Sequence, residues 1–269
     1  MGTLFLVATP IGNLEDITLR ALRVLREVTL VAAEDTRSAR VLLKHYDIEA
    51  KTTSYNEHNA RGKTPYILEA LDQGDVALIS DAGMPAISDP GHELVVAAVA
   101  GGHLVVPIPG PSAVITAVAA SGLSSRRFHY LGFLPRQSGP RRRALAEAAA
   151  SGDTLVVYES PHRIPATLAD ALAVLGDRQI AVCRELTKLH EEIWRGSLSG
   201  AIAHYVEPRG EFTLVIQGGP VAPAAPTMSL AEVVAELRAA DTDSKTAVAA
   251  ISRRCGLGRR AAYAAWHNS

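Results

Sequence analysis

A short apolar run at residues 75–79, DVALI, stops abruptly at SDAGMPAISDPG, residues 80–91. A run without polar alternation reads as a strand buried on both faces. The segment after it combines Asp81 and Asp89 with glycine, proline and serine, residues that turn a chain and present polar atoms. A buried parallel strand ending in such a turn lies where open α/β sheets bind their ligands. The pattern recurs. Residues 4–8 are apolar and halt at Thr9-Pro10, where proline removes a backbone donor. Residues 30–33 close on Glu34-Asp35-Thr36-Arg37, and residues 104–107 run into PIPGPSA. Between these runs, Ala21, Leu22, Leu25 and Val28 recur at helical spacing behind Thr18 as N-cap. Thr64-Pro65 reads as the start of a helix that buries Ile67, Leu68 and Leu71, and residues 93–100 read as another. This alternation predicts an α/β fold with a mostly parallel sheet covered on both faces.

PIPGP at 107–111 is stiff enough to end the first domain, predicted at 1–111. Residues 112–219 are predicted to form a second α/β domain. Its strands fall at 154–158, 180–183 and 212–216, with a helical face made by Ile164, Leu168, Leu172 and Leu175. Parallel and antiparallel pairing can mix there. A proline- and alanine-rich linker at 220–228 leads to a small, basic helical tail at 229–269, which opens on a capping box from Ser229 to Glu232.

Several function classes lack their carriers. There is no G-x-G-x-x-G, Walker A or G-x-S-x-G sequence, so dinucleotide, nucleotide-triphosphate and serine-hydrolase chemistry are not indicated. Cys183 and Cys255 stand far apart, which argues against a disulfide framework and a zinc site; no metal is expected. The first residues hold only a five-residue apolar run, and no segment approaches membrane-spanning length, so a soluble cytoplasmic protein is expected. The net charge of −1 gives no global reason to bind nucleic acid. Locally the balance differs: six arginines and no acid lie between Arg126 and Arg143, interleaved with Phe128, His129, Tyr130 and Phe133.

The turns ATPIGN (8–13), AEDTR (33–37), SDAG (80–83), PIPGPSA (107–113), YESPHR (158–163) and RELTK (184–188) all fall at predicted strand ends. In this order, with FLP at 133–135, they resemble the tetrapyrrole methylase superfamily, and in particular its branch acting on bacterial small-subunit ribosomal RNA. The resemblance runs from about residue 3 to residue 218. It implies S-adenosylmethionine (SAM) as cofactor, held between two α/β domains. It also implies 2′-O-ribose methylation of a cytidine in 16S rRNA at the decoding centre, the 30S subunit as partner, and a homodimer.

Carried onto this chain, the resemblance places Asp81, Gly83, Met84 and Pro85 against the cofactor, with Pro10 as one wall. Ser112 and Ala113, at a helix start, suit its carboxylate. Phe133, Tyr158 and Phe212 are expected to pack the adenine. A ribose hydroxyl is a poor nucleophile and needs a proton acceptor or a pKa-lowering cation beside it. Glu34 and Asp35 from the first domain and Lys188 from the second are the candidates. Arg37 is expected to hold a phosphate, and Arg136, Arg141, Arg142 and Arg143 to bind RNA. Three other readings compete. One is methylation of a tetrapyrrole or other small molecule. Another is a metal-dependent phosphohydrolase using Glu34, Asp35, Asp81 and Asp89. The third is a non-catalytic ribosome-binding module.

Overall fold

The computed structural model describes residues 2–219, 229–255 and 257–267; the expected linker at 220–228 lies outside them. The chain divides into two compact units, residues 1–220 and 221–269.

The first unit holds two five-stranded sheets. Strands β1 (Thr3–Val7), β2 (Leu30–Ala33), β3 (Thr52–Ser54), β4 (Val76–Ile79) and β5 (Leu104–Ile108) form an all-parallel sheet in the order β3-β2-β4-β1-β5. Every residue of β2 and β4 is buried, as their unbroken apolar sequences require. Helices α1 (Leu19–Glu27) and α2 (Thr36–His45) pack on one face, and α3 (Ala60–Gln73) and α4 (His92–Ala100) on the other. Thr18 caps α1, its hydroxyl accepting from the Ala21 N–H.

Helix α3 starts at Ala60, earlier than Thr64-Pro65 suggests. Asn56 and Asn59 exchange side-chain-to-backbone bonds that begin the turn. The Thr64 hydroxyl then donates to the Ala60 carbonyl, one residue before Pro65, which has no N–H to offer. Strands β1 and β4 lie side by side, yet the chain leaves β1 for α1 on one face and β4 for α4 on the other. That divergence opens a crevice at their carboxyl ends.

The second sheet comprises β6 (Phe128–Phe133), β7 (Thr154–Glu159), β8 (Gln179–Arg184), β9 (Glu192–Ser197) and β10 (Phe212–Ile216), in the order β6-β7-β10-β8-β9. Only β6 and β7 pair in parallel. Helices α6 (Ser138–Ala149), α7 (Ile164–Leu175) and α8 (Leu198–His204) bury one face. The other face packs against α5 (Ala113–Ser121), together with Ile11 from the first sheet's loops and Leu186. One apolar cluster therefore joins the two halves of this unit.

In the second unit, α9 (Leu230–Ala239), α10 (Ser244–Cys255) and α11 (Arg259–His267) close around Val233, Val234, Val248, Ile251 and Ala262. Ser229 and Glu232 form the capping box that the sequence predicts. Among the described residues no helix is long and apolar enough to cross a membrane.

Candidate functional site

The ends of β1, β2, β4 and β5 are tied together by backbone. Thr9 donates its N–H to the Gly83 carbonyl at 2.9 Å, and Gly83 donates to the Thr9 carbonyl at 3.1 Å. The Thr9 hydroxyl donates to the Ser80 carbonyl at 3.1 Å. Gly83 takes φ +85° with Ile11 and Pro111 close by, a conformation that disfavours any side chain. At the end of β2, Glu34 Oε2 accepts the Asp81 N–H at 3.3 Å. Further along the acidic loop, Ala86 and Ser88 hold φ of 69° and 60°, unusual for residues with a Cβ. Ser88 is anchored there: its hydroxyl lies 2.7 Å from that of Tyr130 on β6.

The second sheet supplies the opposing wall. Ser112 stands at the N-cap of α5, but its hydroxyl makes no capping bond, so the helix keeps unspent donors in its first turn. The Tyr158 hydroxyl lies near the Val114 N–H and the Tyr130 hydroxyl. The Tyr158 ring sits edge-on to Tyr130 at 5.1 Å and to Phe133 at 5.7 Å. Burial, the largest cause, raises both tyrosine pKa values, so both stay neutral. Buried Glu159 accepts from Thr167 at 2.6 Å and from the Ser160 N–H at 2.9 Å, and pairs with Arg163 at 3.2 Å. These bonds fix the YESPHR turn.

Between the two walls lies a cavity of about 400 Å³. Glu34, Asp81, Gly83, Met84, Ser112, Ala113, Phe133, Tyr158 and Phe212 all border it, as does Asp89. Pro10 and Pro85 are buried behind the lining and do not reach it. Phe212 borders the cavity, but its ring packs 5.5 Å from Tyr205 in the helix-side core. Strand alternation leaves Thr213 as the residue of β10 that faces the ligand space.

The three candidate proton-handling groups separate clearly. Asp35 caps α2 and grips Arg37, whose guanidinium holds its carboxyl down at about 2; it is a helix cap and a poor proton acceptor. Lys188 Nζ lies 2.9 Å from Glu185 and 2.8 Å from Glu211. Burial works against its charge, yet the two carboxylates outweigh this and raise its pKa. Lys188 is therefore held protonated and cannot accept a proton. A Cβ on Gly12 would fall 2.4 Å from Lys188 Cγ, so the first sheet's loop rests directly on this lysine. Glu34 differs from both. Burial raises its pKa, the Asp81 N–H opposes this, and the charges of Asp81, Glu57 and Asp35 add to it.

Asp89 borders the cavity without having been expected among the cofactor-binding residues, although it belongs to the same acidic loop. Burial pushes its carboxyl up to about 6 against a hydrogen bond from Ser80, and the charges of Glu34 and Asp81 add to the shift. Glu211 and Thr213 also line the space and carry no motif that marks them. Cys183 lies in the same wall, its thiol pushed up to about 11 by burial and so unreactive. Among the described residues no group of three or more His, Cys, Asp and Glu side chains is arranged to hold a metal ion.

The arginine-rich stretch does not form one surface. Arg127 pairs with Asp153 at 3.1 Å. Arg141 is a structural residue: its side chain is 5% exposed, pairs with Asp170 at 2.6 Å and donates to the Arg136 carbonyl at 3.0 Å. It lies on the face of α6 that buries Leu145 and Ala148 and has no path to an RNA phosphate. Arg142 also bonds Asp170, with its head about half exposed, while Arg136 and Arg143 are exposed. Asp170→Ala would leave the Arg141 charge buried and uncompensated. A stability loss of about 3–5 kcal/mol is expected in denaturant unfolding; a loss below about 1 kcal/mol would contradict this structural role.

The family model for tetrapyrrole (corrin/porphyrin) methylases matches residues 3–202. A protein of Halalkalibacterium halodurans named ribosomal RNA small subunit methyltransferase I is 53% identical over 220 residues, spanning 81% of this chain and 76% of that protein. The protein of the same name from Thermotoga maritima is 49% identical, spanning 81% of this chain and 99% of its own length. Among solved structures, uroporphyrin-III C-methyl transferase from Thermus thermophilus, complexed with S-adenyl homocysteine, aligns with a TM-score of 0.60 at 21% identity, covering 80% of this chain and 97% of that one. Diphthine synthase aligns with a TM-score of 0.65 at 15% identity, covering 80% and 90%.

Proposed function

The chain belongs to the tetrapyrrole methylase family, and from that premise we propose that it transfers a methyl group from SAM to the 2′-hydroxyl of a cytidine in 16S rRNA at the decoding centre. The observation that carries this reading is the cavity itself. Glu34, Asp81 and Asp89 stand on one wall, and an uncapped helix start with two aromatic rings stands on the other. Those features fit SAM. Asp81 and Asp89 suit a ligand bearing an ammonium and a sulfonium. The Ser112 hydroxyl and the first turn of α5 suit its carboxylate. Phe133 and Tyr158 suit its adenine, and Gly83 and Met84 let the backbone come close.

When bound, SAM supplies an electrophilic methyl group. The protein must place the ribose hydroxyl and remove its proton. Glu34 is the acceptor we assign: it borders the cavity, its pKa is raised, and the Asp81 N–H fixes its carboxylate. Lys188, held protonated between Glu185 and Glu211, has a structural role rather than a basic one, and Arg37, exposed at the start of α2, meets phosphate. Methylation mapping tests the function. A deletion strain should lack the methyl on the decoding-centre cytidine and regain it with this gene, and an unchanged methyl would remove the reading.

Asp89 sets an expected pH dependence. A cationic ligand favours its ionised form, and that form declines as pH falls through about 6. SAM affinity should therefore weaken below about pH 6, by up to tenfold per pH unit. Asp89→Asn should flatten that limb in calorimetric titrations from pH 5 to 7.5, and an unchanged limb in the variant would exclude Asp89 as its source.

The enzyme acts in the cytoplasm, on RNA within the 30S subunit, and as a homodimer. The pairing surface is the open edge of β5: Leu104, Val96, Val99 and Ile115 are exposed apolar residues on β5, α4 and α5. Light scattering that returned the 28.5 kDa of a single chain would refute the dimer.

A further inference from the structure

The first unit carries a set of cations that it does not itself use. Arg40 and Lys44 on α2, and Lys51 just before β3, are exposed. Among the described residues none of the three makes an ion pair or a side-chain hydrogen bond. They line one groove of about 690 Å³, together with Leu43, Ile48 and Thr52. Asp47 and Glu49 border the same groove, so its charge is mixed and the attraction for an anion comes mainly from the α2 side.

Helix α2 connects this groove to the cavity. Its N-cap, Asp35, directly follows Glu34, which lines the cavity, and Arg37 in its first turn is close enough to Asp81 to feel that charge. Residues 37, 40 and 44 follow helical spacing and share one exposed side. They span about 10 Å at 1.5 Å per residue. That is the rise of about three stacked nucleotides. On the other basic stretch, Arg127, Arg141 and Arg142 are committed to Asp153 and Asp170. Helix α2 thus carries unpaired positive charge, on Arg40 and Lys44, along the element whose N-cap directly follows the acceptor carboxylate, and a local strip of this kind lets a chain of net charge −1 hold a polyanion.

We propose that α2 and the groove beyond it form the track for the RNA strand flanking the target nucleotide, with Arg40, Lys44 and Lys51 each meeting a phosphate. The proposal rests on the rRNA reading of the cavity. Contacts of this kind position a strand without reading its sequence. They leave the target to be chosen by the shape of the site and of the subunit.

Two variants test it, each compared with wild type for binding to 30S subunits across a salt series and for S-adenosylhomocysteine affinity by calorimetry. Arg40→Gln/Lys44→Gln/Lys51→Gln should keep its cofactor affinity and lose 10- to 100-fold in subunit affinity at low salt. Its log–log salt slope should shrink by about 2, near 0.7 per lost phosphate on single-stranded RNA. Arg136→Gln/Arg143→Gln should shift the slope by less. A triple variant with the wild-type slope, or a slope lost in the second variant instead, overturns the proposal. Wild-type protein with no salt-dependent subunit binding would overturn the rRNA reading beneath it, a result visible before any variant is made.

Discussion

Glu34→Gln is expected to lower the turnover number for methyl transfer by about 100- to 10,000-fold, the usual contribution of a positioned proton acceptor. The same variant should bind SAM within about threefold of wild type, because the amide preserves the volume of the side chain and an oxygen to accept the Asp81 N–H. The assignment follows from elimination among three groups. Asp35 is pinned as a helix cap near 2, Lys188 is kept protonated by two carboxylates, and Glu34 alone of the three both borders the cavity and has a raised pKa. The pH profile should agree: wild-type turnover rises with pH as Glu34 loses its proton, and the variant lacks that limb. Single-turnover assays separate this from slow product release. A variant with near wild-type turnover would remove Glu34 from the chemistry and direct attention to Asp89, the other cavity carboxylate with a raised pKa.

Ala113→Phe should cost at least about 100-fold in SAM affinity, or about 2.7 kcal/mol. Ala113 is the first residue of α5 and borders the cavity at the point where the helix has donors to spare. A benzyl group there occupies ligand space and covers the first-turn N–H groups at once. Its folding should survive, since the residue is only partly buried and the added volume points at a space of about 400 Å³. Calorimetry beside a thermal melt distinguishes loss of site from loss of fold. A folded variant with wild-type affinity would mean that the ligand does not approach α5.

Much of this architecture is legible in the sequence, for identifiable physical reasons. Unbroken apolar runs ending in polar turns define β1, β2, β4 and β5; in β2 and β4 the reason is that a parallel strand covered on both faces has no polar position to spend. Strand β3 escapes notice because it is three residues of Thr and Ser at a sheet edge. Strand β6 is masked by arginines and interrupted by a bulge between Tyr130 and Phe133, so no clean alternation survives. Helix α2 hides within the AEDTR motif: the aspartate that suggests chemistry is the residue that caps the helix.

The site is legible as a set of turns but not as individual side chains. Arg141 could have been separated from Arg142 and Arg143 by phase alone, since it shares a helix face with Leu145 and Ala148. The same applies to Phe212 and Thr213, which point to opposite faces of β10. The state of Lys188 could not be read this way. Glu211 lies 23 residues away in the chain and comes into contact only when β10 pairs with β8. Long-range electrostatics of this kind depends on the folded topology rather than on local sequence.

The most direct test of the cavity as the methyl-donor site is a crystal structure of the protein grown with S-adenosylhomocysteine. Density is expected between the acidic loop at 80–91 and the start of α5, with its carboxylate at Ser112 and Ala113 and its adenine against Phe133 and Tyr158. Well-ordered ligand bound elsewhere on the chain, with this cavity holding only solvent at saturating concentration, would contradict the account.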